Sequence, residues 1–193
     1  FKVHYENHVE NQKQKRGDQT RKLESFDSLH AKGDLSVEWR QDDSQKVTIE
    51  ADTNDLSKIR TNVRNGCLNI SAYELSGNET GPVLRIYSDS LTKLTLSEHC
   101  EFDTESDISV EELKITMHSN SEADLSGEVK SAVIRCNSES ELDAERLRIE
   151  ECDIETSSGA VAEIYASKKL DILAKSNSRV EYSGNPETVN INT

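Results

Sequence analysis

The run HSNSEADLSG, His118 to Gly127, returns in altered form as CNSESELDAE, Cys136 to Glu145. Setting Ser119 on Ser138 gives a repeat of about 19 residues, and two further steps of that size land on Ser157 and Ser176. Whole columns share this step. Ile115, Ile134, Ile172 and Ile191 form one, and Leu113, Ala132, Leu170 and Val189 another. Ala123, Leu142, Val161 and Val180 form a third, and Ser121, Ser140, Gly159 and Ser178 a fourth. One copy breaks step: Asp153 stands where an apolar residue is due, with Cys152 and Ile154 one place late, which reads as a one-residue bulge. Upstream the step loosens, since Leu94 and Leu96 precede Ile115 and Met117 by two places more than the repeat requires.

A short fixed period admits few folds. Each unit is too small to bury its own apolar face, so neighbouring units must stack and share one core. LKITM, AVIRC, LDILA and VNIN alternate apolar and polar residues, the period of a pleated strand. Helical repeats need apolar residues at three-four spacing and a longer unit. Ser, Asn and Gly between the strands suit corners, where short side chains bond to nearby backbone and left-handed dihedrals are tolerated. The sequence therefore predicts an all-β fold, a right-handed parallel β-helix (solenoid) of about five coils over residues 94–193. A less regular N-terminal β region precedes it.

Composition agrees with a narrow coil. Only 33% of residues are apolar and 5% aromatic, against 31% charged. That is thin for a globular core, but a solenoid has few inward positions, and the strict alternation argues against disorder. The net charge of −14 repels phosphate, which speaks against nucleic acid as a partner and against simple adsorption on anionic lipid. No apolar run approaches the roughly 20 residues of a membrane-spanning helix. The chain opens FKVHYENHVE without an initiating Met, and we expect a targeting segment to have been removed there.

Residues 1–25 read as an N-terminal arm and residues 26–193 as a single β-solenoid domain. Within the arm Phe1, Val3 and Tyr5 alternate as an edge strand would. NQKQKRGDQTRK is polar and basic and reads as a loop, with Arg16-Gly17-Asp18 as turn chemistry rather than a receptor tripeptide. Within the domain, residues 26–82 read as irregular strands and residues 83–193 as regular coils of about 19 residues. FDSLHA, DLSVEW, KVTIEA and LNISAY all alternate, and Asn65-Gly66 between apolar runs is a hairpin signal. Val83 to Ile86 can pair onward into the first coil. Asn78-Glu79-Thr80 spells a glycosylation sequon, relevant only in a eukaryotic secretory route.

The stretch from Glu24 to Glu74 resembles the opening of the bacterial adhesin family called the head GIN domain. The matching residues include Phe26, Leu29, Gly33, Val37, Val47, Ile49 and Ala51, then Asn54, Leu56, Ile59, Val63, Asn65, Gly66, Leu68 and Ile70. The Ser-rich coils are similar to that family's too, so the likeness spans about residues 21–193. It implies β-helical domains of the cell envelope, mainly in Bacteroidetes-type bacteria, often exported and lipid-anchored, with an adhesive or scaffold role. Here the coils are more acidic than the family's Gly-Ser-rich ones. The family brings no catalytic set, and every matching residue is structural.

Candidate chemistry is sparse. Asp124, Asp143 and Glu181 share a column that Ala162 interrupts, and Glu122 and Glu141 share another that ends in Arg179. Stacked carboxylates could collect calcium or serve a polysaccharide-active enzyme. The calcium nonapeptide of β-rolls is absent, and five short coils leave little groove, so outward acids on a soluble solenoid is the preferred reading. His4, His8, His30, His99 and His118 are scattered. Ser157-Ser158-Gly159 lacks a nucleophile elbow's flanking glycine and reads as a corner. Trp39 shares the parity of Val37 and belongs in the core. Cys67, Cys100, Cys136 and Cys152 fit no metal spacing, and the inward ones read as free buried thiols.

No catalytic, cofactor or metal residue is therefore assigned, and no cofactor is expected. The expected function is a non-enzymatic envelope surface protein, an adhesin or scaffold binding a glycan, protein or lipid. It would be exported to the periplasm or cell surface, without a transmembrane span, and a homo-oligomer is open to it. The alternative is a carbohydrate- or lipid-binding module or polysaccharide-active enzyme of the envelope.

Overall fold

The computed structural model describes residues 15–77 and 81–192, and its regular elements there are all β-strands. Short strands β8 (Lys93–Ser97) and β9 (Cys100–Thr104) open the regular stack. Long bent strands follow: β10 (Ile108–His118), β11 (Glu122–Cys136), β12 (Glu141–Thr156) and β13 (Val161–Ala174). β14 (Arg179–Gly184) and β15 (Thr188–Asn192) close it. All pair in parallel, giving about five turns over residues 93–192.

The predicted columns are real contacts between rungs. On the first face Leu94, Ile115, Ile134, Ile154, Ile172 and Ile191 lie directly over one another. On the second face Phe102, Ala123, Leu142, Ala162 and Val180 do the same. A third face carries Ile108, Gly127 and Leu147 in register. Rungs in such a sheet lie about 4.8 Å apart, so each inward column is a continuous apolar rod. The rods meet in one core that runs from Phe26 to Ile172.

Each corner between the first and second faces is a pair of residues in left-handed conformation. These are Glu98–His99, Ser119–Asn120, Ser138–Glu139, Ser158–Gly159 and Ser176–Asn177, with φ between 54° and 78°. Non-glycine residues resist this region by roughly 1–2 kcal/mol each. A ladder of main-chain hydrogen bonds offsets the cost: His99 N donates to Ser119 O at 3.1 Å, Asn120 N to Ser138 O at 3.0 Å, Glu139 N to Ser158 O at 3.0 Å and Gly159 N to Ser176 O at 3.1 Å.

The one-residue bulge carries further along the chain than its first signs indicate. Cys152 lies on Ala132 and Ile154 on Ile134, as the late placement requires. The extra residue enters where pairing jumps from Asp124–Asp143 to Ser126–Arg146. The shift persists through the next corner, so Ala162, not Val161, follows Leu142, and Ala160, not Gly159, takes the buried corner place. A shorter coil then restores register, and Val180 lies on Ala162.

The N-terminal strands belong to the same stack. β2 (Ser28–Lys32) pairs in parallel with β8, and β3 (Leu35–Gln41) with β9. Leu29 thus joins the isoleucine column and Val37 the column of Phe102, each 65 residues before its partner. The intervening chain caps this end. β6 (Cys67–Ala72) lies parallel on β2, and its hairpin partner β5 (Ile59–Arg64) is joined to it through Asn65-Gly66 as expected. β7 (Val83–Ser88) pairs with β3 and β4 (Lys46–Asp52), rather than onward with β8. Phe26, Trp39, Ile49 and Ile59 fill the capped end and are almost fully buried.

Residues 16–22 differ from the expected loop. They form strand β1 (Arg16–Lys22), antiparallel to β4. Arg16-Gly17-Asp18 is therefore edge-strand backbone, not a turn. Polar composition misled here because an outer edge strand has no buried face to betray it. The expected edge strand at Phe1, Val3 and Tyr5 lies outside the described residues.

Candidate functional site

Strand alternation that sends Val37, Phe102, Ala123, Leu142, Ala162 and Val180 inward sends their neighbours outward. On the second face those neighbours are Glu38, Asp103, Asp124, Asp143, Glu163 and Glu181, each in register with the next. This carboxylate ladder is unbroken. Ala162, which an even repeat would set in it, faces the core, and the shifted register puts Glu163 there instead. A second outward column reads Ser36, Glu101, Glu122, Glu141, Val161 and Arg179. Glu101, Asp103, Glu122, Asp124, Glu141 and Asp143 line an open depression of about 370 Å³.

Like charges on adjacent rungs repel by roughly 1 kcal/mol per pair in water, and three cations relieve part of this. Arg85 Nε sits 2.7 Å from Glu38, Arg146 Nη2 donates to Asp124 Oδ1 at 2.6 Å, and Arg179 Nη2 lies 2.7 Å from Glu181. Asp103, Asp143 and Glu163 have no ion pair among the described residues. Partial burial, then the nearby charges of Asp124, Glu101, Glu105 and Glu38, push the Asp103 carboxyl above the usual range. Side-chain exposure leaves Asp103 open to solvent, so the crowding of carboxylates is the more informative cause.

The remaining candidate residues take structural places. Trp39 is buried, and its Nε1 donates to Ser88 Oγ at 2.8 Å. Ser158 and Gly159 turn a corner. Arg16 folds back on Glu50, Nε to Oε1 at 3.0 Å, so its guanidinium is engaged within the chain, while Asp18 is exposed. His30 is half-buried, and burial, then His118, lowers its pKa. Cys100, Cys136 and Cys152 are free and buried, and desolvation pushes each thiol up to about 12; Cys67 is free and half-buried. Among the described residues no three His, Cys, Asp or Glu side chains converge to hold a metal ion. His4, His8 and the Asn78-Glu79-Thr80 sequon lie outside the described residues.

Glu38, Asp103 and Glu163 escaped the sequence reading. The long offset between the first rung and the second, and the persistent bulge, are the signals that find them. Both emerge only when strands are matched rung by rung.

A family model described as "Putative auto-transporter adhesin, head GIN domain" matches residues 25–186. The chain belongs to this family. Solved structures repeat the fold. One described as a putative adhesin from Bacteroides fragilis has a TM-score of 0.69 at 16% identity, covering 92% of each chain. A second putative adhesin, from Parabacteroides merdae, has a TM-score of 0.62 at 15% identity, covering 93% of this chain and 97% of that one. A structure described as a putative lipid binding protein from Parabacteroides distasonis has a TM-score of 0.55 at 17% identity, covering 91% of this chain and 93% of that one. At such identities the likeness is one of fold. No curated protein matches the chain. Of the residues that carry the head GIN resemblance, Phe26, Leu29, Val37, Ile49, Leu68 and Ile70 are buried.

Proposed function

We propose that this chain is a non-enzymatic, exported protein of the bacterial cell envelope, an adhesin or scaffold that grips partners through its rigid sheet faces. The observation that carries the reading is the carboxylate ladder on a preformed flat face. Six acidic side chains stand at fixed strand spacing from Glu38 to Glu181, and their backbones are ordered before any partner arrives. Binding such a surface costs little ordering entropy on this side. The acids confer an extended polar contact rather than a closed pocket, as repeat surfaces generally do. Family membership supports the adhesive role and the exported location.

Beads coated with the protein test this on cell monolayers and immobilised envelope glycans. Retention above albumin-coated beads, lost in the triple variant Asp103→Asn, Asp124→Asn, Asp143→Asn, is expected. Retention equal to albumin removes the adhesive reading. Turnover of an acidic glycan that Asp124→Asn or Asp143→Asn abolishes would make the protein an enzyme instead. The description of the Parabacteroides distasonis structure favours a second reading, a lipid-binding module, which vesicle co-sedimentation reads directly.

A further inference from the structure

The two ends of the stack are finished differently. At the N-terminal end the core is plugged by Phe26 and Trp39 and roofed by β4 and β5, and the edge strands carry charges that discourage pairing: Arg16, Asp18, Arg21 and Lys22 on β1, Arg60 and Arg64 on β5. At the other end nothing among the described residues covers the core. Tyr182, Val189 and Ile191 occupy inward places, stacked on Ile164, Leu170 and Ile172. Yet they are 45%, 36% and 58% exposed. Among the described residues β14 and β15 each pair only with β13, which leaves their outer edges without a strand partner there, and β15 bears no charge at all.

Charge is arranged to let this end meet its like. Residues 93–163 hold nineteen acidic and six basic residues, whereas residues 164–192 hold three acidic and four basic ones. The acidic belt would keep two copies apart side by side; the open end would not. The end strand is also self-complementary. Arg179 and Glu181 flank Val180 and both face outward. Antiparallel pairing of β14 with the β14 of a second copy, centred on Val180, sets each Arg179 opposite the Glu181 of the other copy. The pair already within the strand, at 2.7 Å, becomes part of a four-charge cluster of alternating sign.

We propose that the chain forms a two-fold homodimer end to end, β14 adding to β14 of a second copy across an axis through Val180. The contact is isologous, so it closes at two copies and does not propagate. Both cores are covered at once: the open apolar ends bearing Tyr182, Val189 and Ile191 face each other, and the outer edge of each β14 finds a partner.

Light scattering coupled to size exclusion, from about 1 to 100 μM, measures this. Wild type is expected at twice the chain mass at the upper end of that range. Arg179→Glu places like charges opposite each other at two symmetric points and should weaken the dimer roughly tenfold or more. The swap Arg179→Glu with Glu181→Arg restores the pairing and should restore the dimer. Both positions are exposed, and an unchanged far-ultraviolet spectrum checks that each variant folds. A monomer throughout overturns the proposal, as does a dimer indifferent to Arg179→Glu. Mass growing past two copies overturns it as well, because that signals head-to-tail joining of this end to the capped one.

Discussion

Gly127 lies where the third face begins, between Ile108 on one rung and Leu147 on the next. Its φ is +137°, a region open to glycine and closed to other residues at a cost of about 1–3 kcal/mol. A methyl group there would stand 2.5 Å from Ile108 N and 2.8 Å from Ile108 C, and closer still to Ile108 O. These are main-chain atoms in a parallel ladder, so the clash is relieved only if β10 and β11 move apart. Two or three hydrogen bonds would lengthen, worth about 1 kcal/mol each. Gly127→Ala should therefore destabilise by about 4 kcal/mol, or about 12 °C in Tm at roughly 3 °C per kcal/mol for a chain of this length. Gly77→Ala is the control. Its φ is +66°, but nothing lies within 4 Å of the added methyl, and only the left-handed cost of about 1–2 kcal/mol applies. Urea unfolding of both variants gives the comparison. A Gly127→Ala loss no larger than that of Gly77→Ala would refute the close approach of these rungs.

Two further outcomes follow from the ladder and the thiols. The Asp103 carboxyl, raised in the folded state by burial and neighbouring acids, holds its proton more tightly folded than unfolded; its favourable contribution exists at low pH and is lost as pH rises through the folded value. Asp103→Asn should accordingly raise Tm at pH 7 and give no gain near pH 3, and a loss at pH 7 would contradict the crowding. For the cysteines, Ellman's reagent should titrate Cys67 alone in the native protein and all four in guanidinium, because Cys100, Cys136 and Cys152 are buried with thiols pushed up to about 12. Two or more thiols reacting at similar rates without denaturant would rule out that burial.

The coils from Leu94 onward were legible because inward columns repeat the same residue types at nearly the same step, and a solenoid core allows little else. Ile115 over Ile134 needed no structure. Two features resisted, for definite reasons. Register was lost at the third copy because a bulge adds a residue without changing composition, so Val161 looked as apt an inward residue as Ala162. The rung formed by Leu29 and Val37 was hidden because its partners lie 65 residues away, too far for so short a repeat to register. The acidic face followed the same division. Asp124 and Asp143 came from the repeat, while Glu38, Asp103 and Glu163 came only from strand pairing. β1 gave no signal, since Arg16 to Lys22 add hydrogen bonds to β4 but scarcely any apolar burial.

The detour between β3 and β8 shows how little chain length matters to a stack like this. The first rung reaches the second only after 65 residues. Compared with an ordinary coil, that raises the entropic cost of closing the loop by only about 1 kcal/mol, since the term grows with the logarithm of length. The solenoid can thus pass its chain out at one corner, fashion a lid from it and take the thread up again on the adjoining turn. A terminus is not needed to seal an end; a long enough excursion from the first winding does it.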